Sequence, residues 1–283
     1  MNSPTESSVD QSAPGSQGAA KPVREVRPLG LSDPFRWLRA GWADLPAARG
    51  IALFYGICFW LMALMLGAIF RNSPQYTLSF VSGCFLVGPF LAMGLYEASR
   101  RRELGLPQSF GESLTCWSRR MGSMAMLVLV LLLLELLWGR ASLVVFAVFF
   151  NTGMPTTASV LQAVFNPKNW QFVAAYLVVG GVFAGLVFST CVVSIPMILD
   201  RNTDAISAGI ASIHVVTSRP GPMLLWGMLI VLLVLAALMV PWSLGLILVG
   251  PWLGHASWHA YRGSIAWRAS DTAATSGHDP LTS

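Results

Sequence analysis

Residues 220–261 contain no Asp, Glu, Lys or Arg, a 42-residue run broken only by the turn Pro241-Trp242-Ser243. Water is a poor solvent for such a segment. Charge is scarce elsewhere too: 11% of the 283 residues are charged, against roughly 25% in an average soluble domain, while 54% are hydrophobic. That balance excludes an ordinary soluble domain and points to a polytopic membrane protein. Cysteine is sparse and scattered, at Cys58, Cys84, Cys116 and Cys191, with no CxxC or CxxCH spacing, so neither disulfides nor covalent haem attachment is expected. Also missing are a Walker A loop, HExxH, GxSxG and a dinucleotide fingerprint. The expectation is therefore a protein that is not an enzyme and carries no cofactor.

The apolar runs set the architecture. A helix crossing a bilayer needs ~20 apolar residues, so residues 220–261 make two crossings that turn back at 240–243. Six spans fit the whole chain, at about 50–70, 76–97, 121–138, 172–199, 223–239 and 244–261. The fourth is long enough to tilt or run past the membrane. Of the 18 Lys and Arg, 15 fall in alternate connections that include both tails, which the positive-inside rule assigns to the cytoplasm. This asymmetry accounts for the net charge of +5 without invoking nucleic acid. Residues 1–29 and 269–283, rich in Ser, Pro, Gly and Ala, read as disordered cytoplasmic tails, and the first lacks the apolar core of a signal peptide; 30–268 is the membrane domain.

Spans two and six resemble each other. Leu86-Val87-Gly88-Pro89-Phe90-Leu91 matches Leu248-Val249-Gly250-Pro251-Trp252-Leu253 at an offset of 162, and the fourth span carries Pro196. Together these suggest three parallel-repeat hairpins about an axis along the membrane normal. A short cytoplasmic amphipathic helix is expected before each hairpin. The first starts at Asp33-Pro34 as N-cap and first turn, with Arg36 and Arg39 facing lipid phosphates; the second opens with the capping box Ser109 to Glu112; the third follows Asp204. The fold class is thus all-α, six transmembrane helices as three hairpins with lead-in helices. Residues 141–150 and 160–165, on the outer side, are too short to span; they read as a continuation of the third helix and a surface-lying or re-entrant helix.

Few residues here could carry chemistry. Glu135 is the only acid well inside a span, where a carboxylate costs a few kcal/mol unless paired, protonated or hydrated. It is either a proton or cation site on a path lined by the kinked helices of Pro89, Pro196 and Pro251, or a boundary residue paired with Arg140 across a helix break at Gly139. The second is the simpler reading. His255 and His259 share one face of span six, as two ligands of a metal or haem would, yet no further ligand is marked by the sequence. Among Trp252, Trp258, Tyr261 and Arg262 they read more simply as half-wet interfacial anchors. Glu97 with Arg100, Arg101 and Arg102 reads as a helix end meeting anionic headgroups, and Asp200-Arg201 as a cap and ion pair. Gly88, Gly250, Gly254, Gly181 and Gly185 would let helices approach closely.

Several clusters resemble a family of integral membrane proteins of proteobacteria catalogued only as a domain of unknown function. They are Asp33-Pro34 with Trp37-Leu38 and Gly41-Trp42; Tyr55-Gly56; Gly88-Pro89 with Gly94-Leu95-Tyr96 and Ser99-Arg100; Pro196-Met197 with Leu199-Asp200-Arg201; and Gly254-His255-Ala256 with Trp258-His259-Ala260-Tyr261-Arg262. The resemblance covers about 30–265 and implies a bacterial inner membrane and six spans, with no activity attached. Three functions stay open: a non-catalytic scaffold, assembly or envelope-homeostasis protein; a small-solute permease or channel with Glu135 in its path; and a haem- or metal-handling protein using His255 and His259. The partners expected are the bilayer, with anionic headgroups at the cytoplasmic face, and a homo- or hetero-oligomeric neighbour.

Overall fold

The structure, a computed structural model, describes residues 23–72, 77–150, 169–201 and 203–268. The expected helix at 160–165, most of the first tail and all of the second lie outside these residues. The chain divides into two compact units. In the smaller, the described residues belong to strands β1 (Val23–Val26) and β2 (Ile265–Arg268), which pair as a two-stranded sheet within what the sequence reads as an all-helical chain. The larger unit, Val26–Ile265, is helical. Its helices are α1 (Asp33–Asp44), α2 (Arg49–Asn72), α3 (Thr77–Glu103), α4 (Phe110–Thr115), α5 (Met121–Phe149), α6 (Trp170–Cys191), α7 (Ser194–Arg201), α8 (Ala205–Ser218), α9 (Pro220–Met239) and α10 (Leu246–Ser264).

Among the described residues four helices are long and apolar enough to cross a membrane: Arg49–Asn72, Met121–Phe149, Trp170–Arg201 taken through its bend, and Pro220–Met239. The helices expected as spans two and six fall short on this measure. In α10 the second half carries His255, Ser257, His259, Arg262 and Ser264, and α3 ends in Glu97, Ser99, Arg100, Arg101, Arg102 and Glu103. Long apolar side chains stand exposed along the spans, among them Leu61 and Met65 of α2, Leu133 and Leu137 of α5, Leu177 of α6 and Leu232 of α9, as a lipid-facing surface requires.

Helix α10 sits at the centre, packed on α1, α2 and α3, while α5 packs on α6. Pro251 lies inside α10 and has no N–H to give the Ile247 carbonyl. Gly56 of α2 meets that carbonyl: a Cβ on Gly56 would stand 2.2 Å from Ile247 O, so only glycine allows this approach. Gly250 and Gly254 likewise press on Phe59 and Leu95. Among the described residues Gly88, Gly181 and Gly185 meet nothing at Cβ distance, so the close approach expected of them has no partner there. Pro196 lies in the first turn of α7, and the helix breaks between Cys191 and Ser194; a proline ring clashes with the carbonyl four residues earlier, here Val192. The Ser212 hydroxyl takes up the Val193 N–H at the break (3.1 Å). Pro89 lies within an uninterrupted stretch of α3.

The lead-in helices appear as α1, α4 and α8. The Ser109 hydroxyl accepts the Glu112 N–H (3.3 Å), and the Asp204 carboxylate accepts the Ser207 N–H (2.8 Å), as N-caps should. Asp33 does not cap α1. It accepts the Gly30 N–H (2.7 Å) and pairs with Arg36, whose side chain is otherwise largely exposed. The turn between α9 and α10 falls at 240–243 as expected, with Trp242 and Ser243 both at positive φ (59° and 56°).

Candidate functional site

Helix α1 buries Asp33, Trp37, Gly41 and Asp44, spaced four, four and three apart on one face. Asp44 is therefore carried into the helical packing with the apolar residues, and it needs donors there. It has three. Its Oδ2 accepts the Ser99 hydroxyl of α3 (2.5 Å) and His259 Nε2 of α10 (2.9 Å), and its Oδ1 pairs with Arg102 of α3. Burial pushes the Asp44 carboxyl up, but the hydrogen bonds from His259 and Ser99 and the nearby positive charge outweigh it, and the net shift is downward. Ionised Asp44 accepts only, so Ser99 must donate to it. Ser99 Oγ then accepts from His255 Nδ1 (2.7 Å), which places the His255 proton on Nδ1. His255 is fully buried, and its Nε2 has no hydrogen-bond partner among the described residues.

This corrects the interfacial-anchor reading of His255. Where α10 packs on α1, α2 and α3, the His255 ring is closed off from both lipid and water. His259 is partly exposed and is oriented by Asp44. Each ring thus has an orienting hydrogen bond, yet among the described residues no group of three or more His, Cys, Asp and Glu is placed to hold a metal ion.

Three further carboxylates close the same end of the helices. Asp200, at the end of α7, accepts Tyr261 OH (2.8 Å) and Arg100 Nε (3.4 Å), lies 3.9 Å from Arg262 Nη1, and pairs with Arg201 (3.2 Å). Asp200 is thus a junction of α3, α7 and α10, more than the local cap and ion pair expected. Glu103 receives Arg262 in a two-pronged grip (2.7 and 3.1 Å) and Trp258 Nε1 (3.1 Å). Glu97, buried, pairs with Arg100 (3.3 Å) and Arg101 (3.9 Å). The arginines of 100–102, expected at anionic headgroups, turn onto protein carboxylates instead. Sequence reasoning missed Asp44, Ser99 and Glu103 as members of this network; the available signal was Asp44 on the face shared by Trp37 and Gly41.

Glu135 lies elsewhere. Helix α5 runs unbroken through Gly139, which removes the expected break; five positions place Glu135 and Arg140 about 140° apart around the axis. Glu135 lines a cavity of about 490 Å³ between α3, α5, α6 and α9. A neighbouring cavity of about 430 Å³ shares Cys84, Gly88, Val187, Phe188, Cys191 and Ile230 with it and reaches α2 and α10. Neither wall includes Pro196 or Pro251, although Gly88 and Gly250 contribute.

Helices long and apolar enough to span, with large apolar side chains exposed along them, define an integral membrane protein. Residues 76–200 match the family described as "Predicted integral membrane protein (DUF2189)", a domain of unknown function. The match takes in α3, Glu135, Pro196 and Asp200, while α1 and α10, which bring Asp44, His255 and His259, lie outside it. A search of curated proteins and a search of solved structures both found no match.

Proposed function

We propose that this is a non-catalytic multi-pass protein of a bacterial inner membrane, a scaffold or assembly factor with six spans in three hairpins and both tails in the cytoplasm. The observation that carries this reading is the use made of the polar groups: Asp44, Glu103 and Asp200 are bound to arginine, tyrosine, serine and histidine side chains of other helices, and Glu97 to arginines of its own helix. Ser99, His255 and Asp44 include the residue types of a hydrolase triad, but in the wrong order. In a triad histidine sits between serine and carboxylate and takes the serine proton; here serine sits in the middle, buried, and its hydroxyl donates a hydrogen bond to Asp44. Such a hydroxyl is a tie between helices, not a nucleophile. Packing supports the hairpin arrangement, since α2 lies on α3, α5 on α6 and α9 on α10.

The test is complementation of a deletion strain. Ser99→Ala and His255→Gln should restore its envelope phenotype whenever protein abundance matches wild type. Loss of complementation at equal abundance would mean that Ser99 and His255 do chemistry and would overturn the scaffold reading.

A further inference from the structure

We propose that a cavity within the larger unit, framed by Arg27, Arg36 and Arg262, binds an organic phosphate. This goes beyond the scaffold reading and does not rest on it. Three separate parts of the chain supply the arginines: Arg27 comes from the segment after β1, Arg36 from the start of α1 and Arg262 from the end of α10. The backbone N–H of Arg27 is held by the Ser264 carbonyl (3.0 Å), two positions beyond Arg262, which brings the two arginines to one place. The space they line is about 550 Å³, within the usual range for small-molecule sites.

The charges in the wall choose the ligand. Two carboxylates face the same space, and each is already taken, Asp33 by Arg36 and Glu103 by Arg262. His259 also lines it and is turned to Asp44 (2.9 Å). The Arg27 side chain has no partner among the described residues, so three arginines against two acids leave one positive charge unanswered. A guanidinium carries five N–H donors, and the pairs with Asp33 and Glu103 use only some of them. The donors left over converge from three chain segments, which suits the tetrahedral oxygens of a phosphate better than the two oxygens of a planar carboxylate. An ammonium would find both acids held, and an apolar molecule would cover the guanidiniums without offering an acceptor. A bare phosphate would leave most of the volume unfilled. Leu29, Trp37 and Ala40 flank the remainder and suit the organic group that the phosphate is esterified to. A phospholipid headgroup and a water-soluble phosphate ester share this chemistry.

Phosphatidic acid and glycerol 3-phosphate present the same phosphate from the bilayer and from water. The full chain in phosphatidylcholine nanodiscs would be dialysed against radiolabelled glycerol 3-phosphate. In a second arm, nanodiscs doped with phosphatidic acid would be opened in detergent and the lipid retained per chain counted by native mass spectrometry. Saturable binding near one per chain is expected in at least one arm, the first marking a soluble ligand and the second a lipid. Arg27→Gln should weaken it about tenfold or more without moving the melt. Ala40→Glu, which adds a carboxylate to the wall and leaves every arginine in place, should do the same. Arg39→Gln removes an equal charge outside the cavity and should bind as wild type does. No saturable binding in either arm, undiminished binding by Arg27→Gln or by Ala40→Glu, or equal weakening by Arg39→Gln would overturn the proposal.

Discussion

At the scale of single residues, Asp44 is the position where sequence and structure part most. It ties α1 to α3 and α10 at once, through Arg102, Ser99 and His259. Ser99→Ala should cost about 1–3 kcal/mol of stability, because it strands the buried His255 Nδ1 and removes one donor from Asp44. Chemical denaturation in detergent would measure it. Asp44→Asn should cost about 1.5–3 kcal/mol near neutral pH, the range for hydrogen bonds to a charged group. Its pH dependence follows from the lowered carboxyl. A depressed native value means the stabilisation is complete above the unfolded value of about 3.9 and fades as pH falls through the native one. Wild type should therefore lose stability on acidification below about pH 4 more steeply than Asp44→Asn does; parallel acid limbs would contradict the assignment. By contrast, the Arg262–Glu103 pair is more than a third exposed on both sides. Arg262→Ala should cost only about 0–1 kcal/mol.

At the scale of elements, the α2–α10 crossing depends on Gly56 lying against the carbonyl that Pro251 frees. Gly56→Ala should destabilise by about 1–3 kcal/mol, the range for overpacking, since the obstacle is backbone and cannot rotate away. Gly88→Ala, with nothing among the described residues near its Cβ, should be neutral or slightly stabilising, as alanine favours helix. Matched thermal melts of the two variants separate a packing glycine from a permissive one. The caps at Ser109 and Asp204, the turn at 240–243 and the bend ahead of Pro196 were legible because each has a local chemical cause. The buried state of His255 was not. Its environment is set by α1, some 210 positions away in sequence, and a Trp- and His-rich helix end reads the same whether it meets headgroups or another helix. The direction of Arg100, Arg101 and Arg102 was hidden for the same reason. Their carboxylate partners outside the local run, Asp44 and Asp200, are spread across the chain.

At the scale of the molecule, we propose six crossings where length and apolarity alone mark four helices among the described residues. The two in question, α3 and α10, carry polar C-terminal ends that pair with each other and with α1 and α7, so their polarity is spent inside the protein and need not face lipid. Two topologies then diverge at defined points. With six spans, Arg102 is cytoplasmic and Asn166 is outside. If α3 does not cross, both exchange sides. Reporter fusions after Phe70, Arg102, Asn166 and Arg262 decide between them most directly: the account predicts outside, inside, outside, inside, and an outside signal at Arg102 with an inside signal at Asn166 would contradict it.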